Sequence, residues 1–180
     1  VIDEDNGLCS NSIRSIVQAS NGNVYVGTTD YMQIVSLSNG ISVVGELKKI
    51  IYAGRSAVDN EEHAVCTGSN GNLYLIKEDR ITDVIRPRGS KIFSSVDFGS
   101  DGKIYAGTTE GNIYIIDVRN DRLFEETEIR SEIGSVVNQI IPSDGDDLTV
   151  ICDNGMYRVY SDGSRQLIGS DEFRYSLQSA

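Results

Sequence analysis

The feature that most constrains the fold of this chain is a segment that recurs about every forty residues. The clearest copy is residues 104–116, which read Ile-Tyr-Ala-Gly-Thr-Thr-Glu-Gly-Asn-Ile-Tyr-Ile-Ile, with a β-type run on either side of a turn. Related copies begin at Val24, Val65 and Thr149. Repeats of this length are single supersecondary units, which bury their apolar surface by stacking on their neighbours. The chain is therefore predicted to be an array of similar units.

The residue pattern of each unit predicts four short antiparallel strands, which are joined by turns rich in Gly, Asn and Asp. The units are predicted at residues 6–47, 48–89, 90–132 and 133–170, and residues 171–180 are predicted to begin a fifth. The middle strands, such as residues 113–116, are apolar throughout, as expected of a sheet that packs on both faces. We expect an all-β fold, a β-propeller of about four four-stranded blades. A single sandwich would not explain the repeat.

The composition fits a folded chain of this kind. The 180 residues are 39% hydrophobic, and no apolar run approaches the length of roughly 18 to 20 residues that crosses a bilayer. The sequence opens at Val1, without an initiator Met or a signal segment, so we expect it to be an excised part of a larger ring. The 27 acids and 16 bases give a net charge of -11 without a basic cluster, which argues against nucleic acid as a partner.

The sequence offers no pattern of metal ligands, and we expect no cofactor. Cys9, Cys66 and Cys152 are odd in number and widely spaced, so they predict buried or semi-buried thiols rather than a zinc site or a disulfide framework. The acidic loop at residues 3–8 lacks the spacing of a calcium loop and is predicted to be a solvated turn.

One segment resembles the two-component regulator propeller repeat. It has the Gly-Leu and Ser-Asn opening at residues 7–8 and 10–11, an Ile-rich first strand, an Asn-Gly turn, and the strand Val-Tyr-Val-Gly-Thr at residues 24–28. The resemblance is specific in the first and third units and partial in the other two. Tyr25 and Tyr105 stand where the family usually has Trp, which this chain lacks, and the equivalent residues of the weaker units are Val65 and Thr149.

The resemblance implies a sensor domain of a bacterial membrane signalling protein, commonly a histidine kinase or hybrid kinase and sometimes a diguanylate cyclase. Such a domain is extracytoplasmic, in the periplasm or at the cell surface, and belongs to larger rings, usually of seven blades. Its partner would be an unknown extracellular small molecule or oligosaccharide. An open arc of four blades would leave a bare blade face at each end, so we expect self-association through those edges or a forced four-blade closure. A protein–protein interaction scaffold is the alternative, and a streptogramin-lyase-like enzyme is a further one.

The candidate catalytic residues are few. His63 is the only histidine and lies in an acidic turn, where we expect it to be solvated, so the chain is predicted to have no catalytic residues and no enzymatic activity. Three acidic pairs lie in or near predicted turns and are interpreted as solvated turn residues: Glu61-Glu62, Glu125-Glu126 and Asp146-Asp147. Adjacent residues on an extended chain point to opposite sides, which makes them poor carboxylate pairs for catalysis. Four strand tyrosines are interpreted as packing between blades: Tyr25, Tyr74, Tyr105 and Tyr114.

Ligands of a propeller are expected at one rim, where loops are presented by a rigid scaffold. The turns that enter the first strand of each unit supply the candidate ligand-binding residues, and ordinary surface polarity is the alternative interpretation of each. The candidates are Asn11, Arg14, Arg55, Lys91 and Asn138.

Overall fold

The computed structural model describes residues 1–59, 61–143, 145 and 147–169. Within these ranges sixteen strands form four antiparallel sheets, and one short 3₁₀ helix, Glu4–Asn6, precedes them. The first sheet contains β1 Ile13–Gln18, β2 Val24–Thr28, β3 Tyr31–Ser36 and β4 Ser42–Ile51. The second contains β5 Ser56–Val58, β6 His63–Thr67, β7 Leu73–Lys77 and β8 Arg80–Ile85. The third contains β9 Phe93–Phe98, β10 Ile104–Thr108, β11 Ile113–Arg119 and β12 Arg122–Ile129, and the fourth contains β13 Val137–Pro142, β14 Asp147–Cys152, β15 Gly155–Tyr160 and β16 Arg165–Gly169.

Every sheet is a simple meander in which each strand pairs with the next along the chain. We call the sheets blades 1 to 4 in chain order. Their first strands are neighbours in the order β1, β5, β9 and β13, so these four strands line the axis around which the blades are arranged. The predicted all-β fold of about four four-stranded blades is confirmed. No helix in the described part of the chain is long and apolar enough to cross a membrane.

The blades are held together by apolar clusters between neighbouring sheets. One cluster joins blades 1 and 2 around Tyr25, Met32 and Cys66. A second joins blades 2 and 3, and a third joins blades 3 and 4. Because blade 2 is covered on both faces, every residue of β6 is buried and its side chains do not alternate between core and solvent. The strand tyrosines pack in or against these clusters, as the sequence predicted.

Two glycines allow the close approach of neighbouring blades. A Cβ at Gly27 would lie 2.9 Å from the backbone oxygen of Ala53, and a Cβ at Gly107 would lie 2.6 Å from Cβ of Val137. Ala53 and Val137 both lie beside the start of the first strand of the next blade. At these two positions a side chain on the second strand would collide with the neighbouring blade or the segment that leads into it.

The outer faces of blades 1 and 4 differ. Residues 2–10 cover blade 1, where Leu8 packs on Val26 and Val35. The buried amide of Gln33 fixes this segment, since its Oε1 accepts from the backbone N of Cys9 at 2.7 Å and its Nε2 donates to the carbonyl of Gly7 at 3.2 Å. The expectation that the blade face at this end is bare is therefore wrong.

Blade 4 has the alternating pattern of a sheet covered on one side. In β14 the side chains of Leu148, Val150 and Cys152 are buried against blade 3, while those between them are half-exposed, and most of β16 is exposed. Among the described residues no apolar cluster joins blade 4 to blade 1, so the four blades form an open arc.

Blade 1 extends beyond residue 47, where the sequence predicted its end. Its last strand continues to Ile51 because the pairing of β3 with β4 skips residues between Met32↔Leu47 and Tyr31↔Ile51. This bulge turns Ile50 into the core, where it is fully buried. The predicted start of a fifth unit, residues 171–180, lies outside the described residues.

Candidate functional site

The first strands converge on an open cleft of about 370 Å³ at the axis, which we call the axial cleft. Three of the five candidate ligand-binding residues line it. Arg14 and Asn138 each occupy the second position of a first strand, and Arg55 directly precedes β5. The described lining is Ile13, Arg14, Gly54, Arg55, Ser94 and Asn138. Residues that are one or two repeats apart in sequence therefore meet because the blades are stacked.

The axial cleft has a positive lining in an acidic chain of net charge -11. No carboxylate is among its described lining residues, and no described acidic group forms an ion pair with Arg14 or Arg55. The guanidinium carbon of Arg14 lies 4.7 Å from the centre of the Tyr52 ring, and this contact orients the side chain.

A smaller cleft of about 190 Å³ continues along the first strands and shares Arg55 and Asn138 with the axial cleft. Its other described lining residues include Ser56, Ser95, Asp97 and Gln139. Ser95 is 1% exposed, and its hydroxyl has no hydrogen-bond partner among the described residues. Burial raises the pKa of the Asp97 carboxyl group, although a hydrogen bond from the backbone N of Phe98 opposes this effect. We call this second space the inner chamber.

The two other candidate ligand-binding residues do not line either cleft and are engaged within the chain. Asn11 Oδ1 accepts from the backbone N of Glu4 at 3.0 Å, and the Glu4 carboxylate accepts from the backbone N of Asn11. Lys91 forms an ion pair with Glu128, whose side chain is only 7% exposed. Their role in ligand binding stays a prediction.

His63 is not the solvated turn residue that the sequence predicted. It is 5% exposed, with Nδ1 2.8 Å from Oδ2 of Asp59 and Nε2 3.0 Å from Oδ1 of Asp121. The prediction was wrong because the Asp59 side chain also accepts from the backbone N of His63, which folds the turn inward. Asp121 comes from the next blade, and its carboxylate also accepts from Lys77 Nζ at 2.7 Å.

The contact made by Asp121 recurs one blade earlier. Asp79 of blade 2 accepts from the Tyr25 hydroxyl at 2.9 Å and from Asn23 Nδ2 at 2.8 Å, both in blade 1. Asp79 and Asp121 are each the second residue of a two-residue turn between the third and fourth strands, with φ of 61° and 58°. We call these interactions the hairpin-aspartate contacts. Burial and the hydrogen bond to Asp79 raise the pKa of Tyr25.

The acidic pairs take part in different contacts. Glu125 lies in β12 rather than in a solvated turn, and its carboxylate is 2.9 Å from Arg88 Nη2. Asp147 pairs with Arg158 at 3.1 Å. Asp146 and the side chain of Glu126 lie outside what the structure describes.

The described residues contain neither a cluster of metal ligands nor a histidine beside a nucleophile. No group of three or more His, Cys, Asp or Glu side chains among them is arranged to hold a metal ion. The two ring nitrogens of His63 face carboxylates, so in the described part of the chain its imidazole does not contact a serine or cysteine nucleophile. The axial cleft is the place where polar side chains of several blades converge, and Asn138 Nδ2 there also donates to Oδ1 of Asp153 at 2.9 Å.

The fold defines the chain as a β-propeller. The β-propeller domain of Cps50 (Swd1) from Myceliophteria thermophila is similar, with a TM-score of 0.70 and 12% identity over 92% of this chain and 58% of that one. The C-terminal WD40 domain of Sif2 is also similar, with a TM-score of 0.66 and 10% identity over 80% of this chain and 44% of that one. This chain therefore spans less than two thirds of either propeller.

The sequence model of the two component regulator propeller family matches residues 7–30. This match covers the end of the segment that packs on blade 1, the strands β1 and β2, and the turn that follows them. It is consistent with the resemblance noted from the sequence. No curated protein matches the chain.

Proposed function

We propose that this chain is part of a ligand-sensing, non-enzymatic β-propeller of a bacterial membrane signalling protein, and that the sensor lies outside the cytoplasm. The family match at residues 7–30 supports the signalling context. The axial cleft supports ligand binding, because Arg14, Arg55 and Asn138 point to one space from three different blades. That convergence is the observation that carries the proposal.

A ligand in the axial cleft would contact blades 1, 2 and 4 at once. Each blade is stabilised mainly by its neighbours, so binding that depends on the spacing of these blades would couple ligand occupancy to the arrangement of the arc. The parent protein would pass that change to an output domain. The ligand would be a small molecule or oligosaccharide, since a cleft of about 370 Å³ has the size of small-molecule sites.

The second candidate function is a protein–protein interaction scaffold. It is favoured by the outer face of blade 4, which presents the half-exposed Ile151 and the exposed Leu167. A neighbouring blade or a second protein chain would cover such a face, whereas a small molecule would not.

A screen of small polar solutes tests the cleft. We expect at least one solute to raise the melting temperature of the chain, because a ligand that binds only the folded state stabilises it. The shift is expected to disappear in Asn138→Ala and to persist in Asn39→Ala, which removes the same side chain from an exposed turn. A screen in which no solute stabilises the chain, or in which both variants respond alike, would contradict ligand sensing at the cleft.

The location is tested on the parent protein in intact cells. A protease added outside the inner membrane is expected to cleave a site engineered into the exposed turn at Asn39, and not a site in the output domain. Protection of both sites would contradict the extracytoplasmic assignment.

A further inference from the structure

We infer that the axial cleft binds a small oxyanion, a carboxylate or a phosphate, through the guanidinium groups of Arg14 and Arg55. This inference rests on the proposed function, in which the cleft is the ligand site. It adds the chemical class of the ligand, which neither the family match nor the fold supplies.

The charge balance of the cleft is the first argument. Two cationic side chains line one cleft, and no described carboxylate lies among its lining residues, although the chain holds 27 acids and 16 bases. Several other basic side chains are paired locally, such as Lys91 with Glu128 and Lys77 with Asp121. Like charges in one cleft repel each other, and an anion between them would remove this repulsion.

The orientation of Arg14 is the second argument. The guanidinium carbon lies 4.7 Å from the centre of the Tyr52 ring, and Tyr52 directly follows the last residue of β4. A guanidinium that stacks through its face still presents its N–H groups at its edge. These donors fit the planar carboxylate or the phosphate, which accept two parallel hydrogen bonds from an arginine.

The residues that line the inner chamber indicate which groups the ligand carries besides the anion. Asp97 and Gln139 line this chamber and supply a carboxyl group and an amide. The Asp97 carboxyl group would repel an anion, so the anionic group belongs at the arginines of the axial cleft. Hydroxyl groups on the body of the ligand would match the donors and acceptors of the inner chamber. The ligand class is therefore an acidic polyol, such as a sugar acid or a sugar phosphate.

The test is a titration of the chain with three related probes: glucose 6-phosphate, gluconate and neutral glucose. Binding is followed by calorimetry and by the NMR signals of the arginine Nε–H groups. We expect at least one of the two anions to bind with saturation and to shift the Arg14 and Arg55 signals. The two anions distinguish phosphate from carboxylate, and glucose is expected to bind at least about tenfold more weakly because it lacks the charge-assisted hydrogen bonds.

The variants Arg14→Gln and Arg55→Gln are each expected to weaken anion binding by about tenfold or more, and Arg55→Lys to retain part of it. Arg80→Gln is the matched control, because it removes the same charge from an exposed position on β8. It is expected to change the affinity by less than about twofold, since exposed charges at a distance are largely screened.

Any one of three results would overturn the inference. The first is that neither anion binds, the second is that glucose binds as tightly as the anions, and the third is that Arg80→Gln weakens binding as much as the cleft variants do. If any of these occurs while a neutral solute from the screen still loses its effect in Asn138→Ala, the anion assignment fails and the proposed binding function stands. If no solute of any charge stabilises the chain, the proposed function fails with it.

Discussion

Replacing Gly107 by Ala tests whether the blades are as closely packed as the structure indicates. A Cβ at Gly107 would lie 2.5 Å from Oγ of Ser95, 2.5 Å from Cγ1 of Val137 and 2.6 Å from Cβ of Val137. Ser95 pairs with Gly107 in the same blade, whereas Val137 belongs to the first strand of the next blade and is fully buried. The backbone at Gly107 is not in the left-handed region, so any cost of the new methyl group comes from these contacts.

The size of the effect follows from which atoms would have to move. The Ser95 hydroxyl can rotate, but Cβ of Val137 moves only with its backbone, so blades 3 and 4 would have to separate locally. Overpacking a close-packed interior typically costs 1–3 kcal/mol, and the position of Val137 places this case at about 2–3 kcal/mol. For a chain of this length that lowers the melting temperature by about 4–12 °C.

Urea unfolding followed by far-UV circular dichroism measures the free energy of unfolding. Gly145→Ala is the matched control, because a Cβ there would meet only Oδ1 of Asp147 at an ordinary 3.4 Å. Combining Gly107→Ala with Ser95→Ala removes one of the close contacts and is expected to recover part of the loss. If Gly107→Ala and Gly145→Ala both stay within about 0.5 kcal/mol of the wild type, the close contact between blades 3 and 4 is refuted.

Two further predictions concern ionisable groups. Hydrogen bonds from Lys77 and His63 hold the pKa of Asp121 below its usual value, so the stability that this carboxylate contributes is present above its unfolded pKa of about 3.9 and is lost as the pH falls through its lower folded value. Asp121→Asn is therefore expected to be less stable than the wild type at neutral pH, and urea unfolding at decreasing pH is expected to show the difference shrinking below about pH 4; a difference that is independent of pH would contradict this linkage. Burial raises the pKa of Cys66, and it raises that of Cys152 to about 12, so both thiols are expected to resist a thiol reagent in the folded chain and to react in urea. Rapid reaction of either thiol in the folded chain would contradict their burial.

The period of the sequence was sufficient to predict the fold. Strand lengths, turn residues and the apolar middle strands all depend on local sequence, and they led to the four four-stranded blades that the structure contains. The repeat also explains why Arg14, Arg55 and Asn138 meet. They occupy similar places in different units, and stacked units bring such places to the same axis.

Contacts between different kinds of positions were not predictable in this way. His63 was expected in solvent because its own turn is acidic, yet one of its two carboxylate partners, Asp121, comes from the next blade. The position of Lys91 before a first strand predicts a ligand contact, but its ammonium group instead forms an ion pair with Glu128 of the same blade. Sequence gives the type of each side chain, whereas the packing of separate strands decides which partner it meets.

The sequences of the hairpin turns contain a signal for the contacts between blades. Glu78-Asp79 and Asn120-Asp121 are acidic two-residue turns at equivalent places in successive units. Both adopt positive φ at both positions, the geometry of a tight β-hairpin. An aspartate held in such a turn projects toward the preceding blade, and a comparison of turns between repeats would have indicated the contact.

The hairpin-aspartate contacts show that the three blade interfaces are not equivalent. The corresponding turn in blade 4 is longer, and its Asp162 accepts from the backbone N of Ser164 in the same turn at 2.8 Å. On the blade 3 side, the Tyr105 hydroxyl donates to Asp101 of its own blade at 3.1 Å, whereas the equivalent Tyr25 donates to the next blade. A cleft of about 400 Å³ lies between blades 3 and 4, and its lining residues include Tyr105 and Ser161.

The contacts that join blade 4 to blade 3 include a hydrogen bond from Arg165 Nη1 to the carbonyl of Ser131 at 2.6 Å, the apolar cluster and axial contacts. The Ser94 hydroxyl, which donates to the carbonyl of Val137 at 2.7 Å, is one of these contacts. Among the described residues, blade 4 shares an apolar cluster with blade 3 alone, whereas blades 2 and 3 each share clusters with two neighbours. Because Asn138 belongs to blade 4, a ligand that contacts it together with Arg14 and Arg55 would join this blade to blades 1 and 2.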